Sequence, residues 1–247
     1  MLAGLAAVLP GPGAAQNVGA GGPALELGVL VHGQRDAAAS PMRYTGAGPE
    51  LGVAWYRSTP RWRADVRGSL GVGTLRSSLT ANGLPAEDLW AARLGLRYLR
   101  VLGTAAGGRA ALLVGGDLTA HGAYRRHRYP VDRTEHFADV LIPLSVVAGW
   151  EWGAGPIRVA HRAWLPVVGL AVRTPWGGLK YAPRVEMAGP VGLTGFGQTM
   201  YVEAAVTGLL HLRIGWTLDV LHHDDPRSLD MASHRILVSG LLGGSGS

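Results

Sequence analysis

Cysteine is absent from the 247 residues, which excludes disulfides, thiol catalysis and thiolate metal sites. Charged residues are scarce, at 16% of the chain, and phenylalanine occurs only twice. No run of about 18 uncharged apolar residues follows the N-terminus, so the sequence offers no spanning helix. Gly-x-Ser-x-Gly, Walker, His-Glu-x-x-His and EF-hand patterns are missing, and with them the common signatures of esterase, nucleotide, zinc-protease and calcium chemistry. The isolated Gly71-x-Gly73 lies inside an alternating stretch, where close backbone approach explains it better than a phosphate cradle. No repeat of about 20 to 50 residues of the solenoid or propeller kind is present. These absences leave no cofactor and no metal site to name.

Glycine is abundant at 38 residues, and tryptophan reaches 8. Lys plus Arg number 23 against 17 Asp plus Glu, a formal charge of +6, and nearly all the cations are arginine. Those arginines alternate with apolar residues instead of forming a run or a helical stripe, which argues against nucleic acid as a partner.

The stretch Asp88 to Arg100 organises the reading. Trp90, Ala92, Leu94, Leu96 and Tyr98 occupy its even positions, and Ala91, Arg93, Gly95 and Arg97 its odd ones. Side chains of a strand alternate between faces, so one face is apolar with an aromatic at each end and the other carries arginine and glycine. Trp90 to Tyr98 spans roughly 27 Å along a strand, or about 20 Å of height at a tilt of about 40°, close to the roughly 25 Å apolar band of a membrane barrel.

Other segments repeat the pattern. Leu25 to Gln34 sets Leu25, Leu27, Val29 and Val31 against Glu26, His32 and Gln34; about Glu50 to Arg57 turns Leu51, Val53 and Trp55 outward. Trp62 to Val72 alternates against Arg61, Arg63, Asp65, Arg67 and Ser69. Ala110 to His121 places Asp117, Thr119 and His121 on its polar face, and Val140 to Trp152 places Asp139, Ser145 and Glu151 there. Ile157 to Ala171 carries Arg158 and Arg162. Between Thr174 and Gln198 the pattern blurs, and Tyr181 to Met187 reads either as a strand or as a structured loop. From Met200 to Val220 the register returns opposite Glu203, Arg213 and Asp219, as one very long strand or a hairpin turning near Gly208. Ile236 to Leu242, with Arg235, closes the series.

These segments, joined by alternately short and long connections, resemble bacterial outer-membrane β-barrel proteins over most of residues 24–242. The resemblance is one of class and implies an all-β, antiparallel, up-and-down transmembrane barrel of about ten strands, with eight to twelve admissible. Residues 1–16, with an apolar segment and a small-residue Gly13-Ala14-Ala15 site, read as a secretory signal, although no Lys or Arg precedes Arg35. Residues 243–247, GGSGS, read as a flexible tail or linker. Proteins of the class generally end in an aromatic residue that the barrel-assembly machinery reads; here the last strand ends in Leu241-Leu242.

A barrel implies a lumen-facing polar set: Glu26, Arg63, Asp65, Arg67, Arg93, Arg97, Asp117, Asp139, Glu151, Arg158, Arg162, Glu203, Arg213, Asp219 and Arg235. That set forms either a buried network of ion pairs filling a narrow barrel or a polar channel whose arginine excess favours anions. Trp55, Trp62, Trp90, Tyr98, Trp150, Trp152 and Trp216 form the aromatic belt.

Two further clusters carry chemistry. His222, His223, Asp224 and Asp225 pair imidazole with carboxylate as a general base would, but neighbours on a strand face opposite ways, so a solvated loop is the simpler account. Ten-stranded outer-membrane proteases of the omptin type use Asp and His at the rim, yet no motif here carries their residues over. Tyr124 to Tyr129, YRRHRY, reads as an exposed loop able to meet lipopolysaccharide phosphates. The sequence therefore points to an integral outer-membrane barrel of structural, adhesion or small-solute channel (porin-like) type in a Gram-negative cell, with outer-membrane lipid and the assembly machinery as partners. The alternatives are a rim-active hydrolase and a soluble lipocalin-like binder.

Overall fold

Valine, leucine and isoleucine at every second position give each segment one face that leaves water and another that carries ionised groups, and a closed sheet can segregate the two over its whole surface. The computed structural model describes residues 21–37, 40–77, 86–128, 134–174, 182–224 and 228–242. Residues 1–16 and 243–247 lie outside them.

Eleven strands follow one another: β1 (Gly22–Asp36), β2 (Ser40–Ser58), β3 (Trp62–Ser77), β4 (Ala86–Ala105), β5 (Ala110–Arg128), β6 (Thr134–Ala154), β7 (Ile157–Arg173), β8 (Arg184–Ala188), β9 (Leu193–Ala205), β10 (Leu210–His223) and β11 (Leu229–Leu242). Among the described residues all pairings are antiparallel. β1 joins β11, and the β6–β7 and β7–β9 pairings complete the ring, so ten strands close and β8 adds to β7 alone. The fold is an up-and-down barrel in which closure removes the edges of the ten-strand ring.

Of the stretch of ambiguous register, residues 175–181, Tyr181 among them, lie outside the described residues, and the rest resolves. β8 is a short strand whose Val185 and Met187 are exposed. The long alternation after Met200 is a hairpin, with β9 ending at Ala205 and β10 starting at Leu210. At the turn between β6 and β7, Gly155 takes a positive φ of 56°, which L side chains rarely adopt.

The strands run well beyond the apolar segments. The stretch Tyr124 to Tyr129, read as an exposed loop, is strand as far as Arg128, where β5 ends, and β6 starts at Thr134. Likewise the stretch after Gln34 is strand up to Asp36 and again from Ser40, and β11 begins at Leu229. Above the apolar band both faces are polar, so the hydrophobic alternation disappears while the ladder hydrogen bonds persist.

Parity changes at one functional place. Ser145 pairs with Pro166 and Leu144 with Val168, so Val167 bulges out of the β6–β7 ladder. Pro166 has no N–H to lose there. Even residues of β7 face inward up to Trp164 and odd ones from Gly169 on, which brings Arg173 inside.

Candidate functional site

The inside of the barrel is charged and buried; the outside is apolar and exposed. Leu25, Leu27, Val53, Leu70, Leu94, Leu96, Leu112, Val146 and Ile214 stand on the outer wall. A soluble barrel built to hold an apolar ligand would have these faces exchanged.

The structure places Glu26, Arg63, Asp65, Arg67, Arg93, Arg97, Asp117, Asp139, Glu151, Arg158, Arg162, Glu203, Arg213, Asp219 and Arg235 on the inner wall. Near the short-turn end, Glu151 receives Arg63 at 3.0 Å, Arg162 at 3.1 Å and Arg158. Asp65 accepts from Arg67 at 2.5 Å and Arg162 at 3.2 Å. The Arg213 guanidinium pairs with Glu203 at 2.5 Å and lies between the rings of Tyr56 and Tyr201, 4.1 and 4.3 Å from their centroids. Tyr56 in turn donates its hydroxyl to Glu26 at 2.7 Å.

The middle layer crosses the lumen. Arg97 meets Asp117 at 2.8 Å and stacks on Trp164, while Asp219 holds Arg235 at 2.5 Å and Arg93 at 3.4 Å. Arg235 also reaches Glu50 at 3.2 Å. Toward the loop end, two arginines and two aspartates close a ring: Arg125 with Asp36 at 2.5 Å and with Asp139, and Arg173 with Asp36 at 3.0 Å and Asp139 at 3.4 Å. Beside it Glu87 takes His127 at 2.9 Å and Gln34 at 2.5 Å.

Sequence parity had not reached Asp36, Glu50, Glu87, Arg125, His127 and Arg173. For Arg125 and His127 the signal was present, because odd numbers face inward continuously from Asp117 to His127. Arg173 is reached only across the bulge at Val167.

Among the described residues the buried interior holds ten inward arginines: Arg63, Arg67, Arg93, Arg97, Arg125, Arg158, Arg162, Arg173, Arg213 and Arg235. Eleven carboxylates face them: Glu26, Asp36, Glu50, Asp65, Glu87, Asp117, Glu135, Asp139, Glu151, Glu203 and Asp219. The arginine excess of the sequence is therefore not in the lumen. Arg35, Arg43, Arg76, Arg126 and Arg128 point outward at the loop end.

Trp55, Trp62, Trp90, Trp150 and Trp152 stand on the outer wall near strand ends and Tyr98 on the outer wall further into β4, with Trp62 stacked on Tyr98 and Trp90 against Tyr124. Trp216 faces outward at the middle of β10, beside His234.

The YRRHRY segment divides by parity. Arg125 and His127 are buried inside, whereas Tyr124, Arg126 and Arg128 face outward; Tyr129 lies outside the described residues. Asp88 bonds Arg126 Nε at 2.8 Å and Arg128 Nη2 at 2.6 Å, and Arg126 stacks over Trp90. Burial acts to raise the Asp88 carboxyl, but the hydrogen bonds from Arg128 and Arg126 prevail and hold it below the usual range.

The histidine pair likewise splits. His223 is buried with its Nε2 4.0 Å from Glu186, and His222 faces outward. His222 Nδ1 lies 2.6 Å from Asp230 and Nε2 2.8 Å from Asp224, contacts that raise its pKa, that with Asp230 most. Asp225 lies outside the described residues. Both ring nitrogens are engaged by carboxylates, so His222 is braced rather than poised to take a proton from a substrate.

No protein-family model matches the chain, and no curated protein matches it either. Solved structures do. The outer membrane protease OmpT from Escherichia coli is similar with a TM-score of 0.52 and 7% identity, over 91% of this chain and 96% of that one. The translocator domain of autotransporter NalP from Neisseria meningitidis aligns at 0.42 and 11% identity, over 88% of each chain. The likeness to OmpT is one of fold: the chain has the architecture of bacterial outer-membrane β-barrels.

Proposed function

We propose that this protein is an integral outer-membrane barrel with a closed lumen, serving as a structural or adhesion-type protein that displays its loop end outside the cell. The supporting observation is the near-neutral ion-pair network across the interior, in which Arg97 and Arg125 are no more than 1% exposed. An anion channel needs uncompensated positive charge facing water, and here inward arginines and carboxylates are matched almost one to one. A barrel of about eight to ten strands is narrow enough for such side chains to fill. The exposed apolar wall with aromatics near strand ends supports placement in a bilayer, and the arginines outside supply contacts for anionic outer-leaflet lipid.

Planar-bilayer recording of the purified protein tests the reading. Wild-type protein should give no stepwise conductance at moderate voltage, and Arg97→Ala combined with Arg93→Ala should admit ions by emptying the middle layer. Regular channel steps from wild-type protein would overturn the closed lumen. Membrane placement is checked separately: the protein should fractionate with outer membranes and migrate faster unboiled than boiled.

The rim-hydrolase reading, suggested by the protease activity named for OmpT, has less support because both nitrogens of His222 are occupied.

A further inference from the structure

The outer wall of β2 to β5 carries two hollows, one directly below the other. The upper hollow, about 630 Å³, lies beside Arg76, Arg126 and Arg128 and is floored by Ala47, Gly73 and Thr74. The lower, about 520 Å³, runs over Gly68, Ala92, Ala120 and Gly122 between the side chains of Leu70 and Leu94. Four residues separate Arg126 from Gly122, roughly 13 Å along a strand.

The lower hollow is not a by-product of backbone need. Neither Gly68 nor Gly122 has a positive φ, and an added Cβ would meet nothing nearer than 3.8 Å at Gly68 or 3.7 Å at Gly122. A Cβ would fit at either position at ordinary van der Waals distance, so the glycines leave a trough in an otherwise ridged apolar wall. Above it, Asp88 gathers Arg126 and Arg128, and Trp90 and Tyr124 mark the boundary between the charged and apolar parts. Asp88 is the carboxylate lining the upper hollow, against three guanidiniums. Each guanidinium has five N–H donors, more than one shared carboxylate engages, and the planar fork matches phosphate oxygens.

We infer that this face is a site for one phosphorylated, acylated lipid of the outer leaflet, its phosphate held by Arg76, Arg126 and Arg128 and an acyl chain lying in the trough over Gly68, Ala92 and Gly122. The inference rests on the membrane placement proposed above. Charge complementarity selects the head group, and the apolar trough about one lipid-boundary depth below it selects an attached chain over a free anion.

Native mass spectrometry of the detergent-purified full chain with added bis-phosphorylated lipid A tests it. Wild-type protein should retain one lipid A. Arg126→Gln with Arg128→Gln should weaken retention at least tenfold, and Ala92→Phe, which fills the trough without changing charge, about fivefold. Faster migration of each unboiled variant verifies its fold. Wild-type binding by either variant, displacement of lipid A by inorganic pyrophosphate at similar concentrations, or equal retention of uncharged diacylglycerol would overturn the site. A protein recovered only in the soluble fraction would overturn the membrane placement as well, whereas a membrane-inserted, heat-modifiable protein that sheds lipid A would overturn the site alone.

Discussion

Arg125 and Arg126 are neighbours on β5 and sit in opposite worlds. Arg125 points into the barrel, its side chain 0% exposed, and is shared by Asp36 and Asp139 in a ring completed by Arg173. Arg126 points out, its side chain 42% exposed, stacked on Trp90 and bonded to Asp88. The same chemical group is a structural element in one place and an open contact in the other. Burial makes the difference: without water a charge depends wholly on its partners, and at the rim solvent replaces whatever contact is lost.

The largest expected effect follows from the buried side. Arg125→Met takes a buried guanidinium away from both Asp36 and Asp139 and should destabilise the barrel by about 3 to 5 kcal/mol, whereas Arg126→Met should cost less than about 1 kcal/mol. Urea unfolding in micelles, followed by tryptophan fluorescence, measures both; equal losses would erase the distinction.

Next in size is a charge moved onto the apolar wall. Leu94→Arg places a guanidinium in the middle of the exposed band of β4 and should cost about 2 to 4 kcal/mol when folding is measured into lipid vesicles. Thr74→Arg, at the level of the rim arginines, should cost about 0 to 1 kcal/mol. Similar costs at both positions would contradict the bilayer placement.

A smaller effect sharpens what the buried pairs contribute. Removing both members of one pair, as Arg97→Met with Asp117→Leu, should destabilise less than Arg97→Met alone, because no orphaned carboxylate remains. A double variant worse than the sum of the singles would show that the layer acts through shape rather than charge.

The smallest effect is at the rim. His222 is braced between Asp230 and Asp224, so its ring should titrate above the ordinary histidine value of 6.5 in an NMR titration. Its folded pKa is raised, so the stabilisation it gives is fully present below the unfolded value and fades as pH rises through the folded one. Asp230→Asn should lower the midpoint; an unchanged midpoint would remove that contact as the cause.

Much of this was readable from parity. Trp90 to Tyr98 and Val140 to Trp152 declare their outward faces because lipid-exposed positions must be apolar and their alternates need not be, so Arg93, Arg97, Asp139 and Glu151 follow by subtraction. The strands' upper ends were not readable that way. From Arg125 to Arg128 both faces are polar, so no apolar contrast marks the continuing ladder and only parity carried on from Asp117 turns Arg125 and His127 inward. Arg173 escaped for another reason, since one bulged residue at Val167 inverts every later assignment on β7.

Local alternation by itself determined that the chain forms amphipathic strands and which face of each is apolar. It could not determine which charges meet. Arg235 and Glu50 are 185 positions apart in the chain, and Arg173 and Asp36 are 137 apart; closure of the ring and the stagger of its strands bring them within hydrogen-bonding reach. The two stacked hollows on the outer wall likewise arise from register between four strands. Partnership across a barrel is a property of shear and closure, which no single strand encodes.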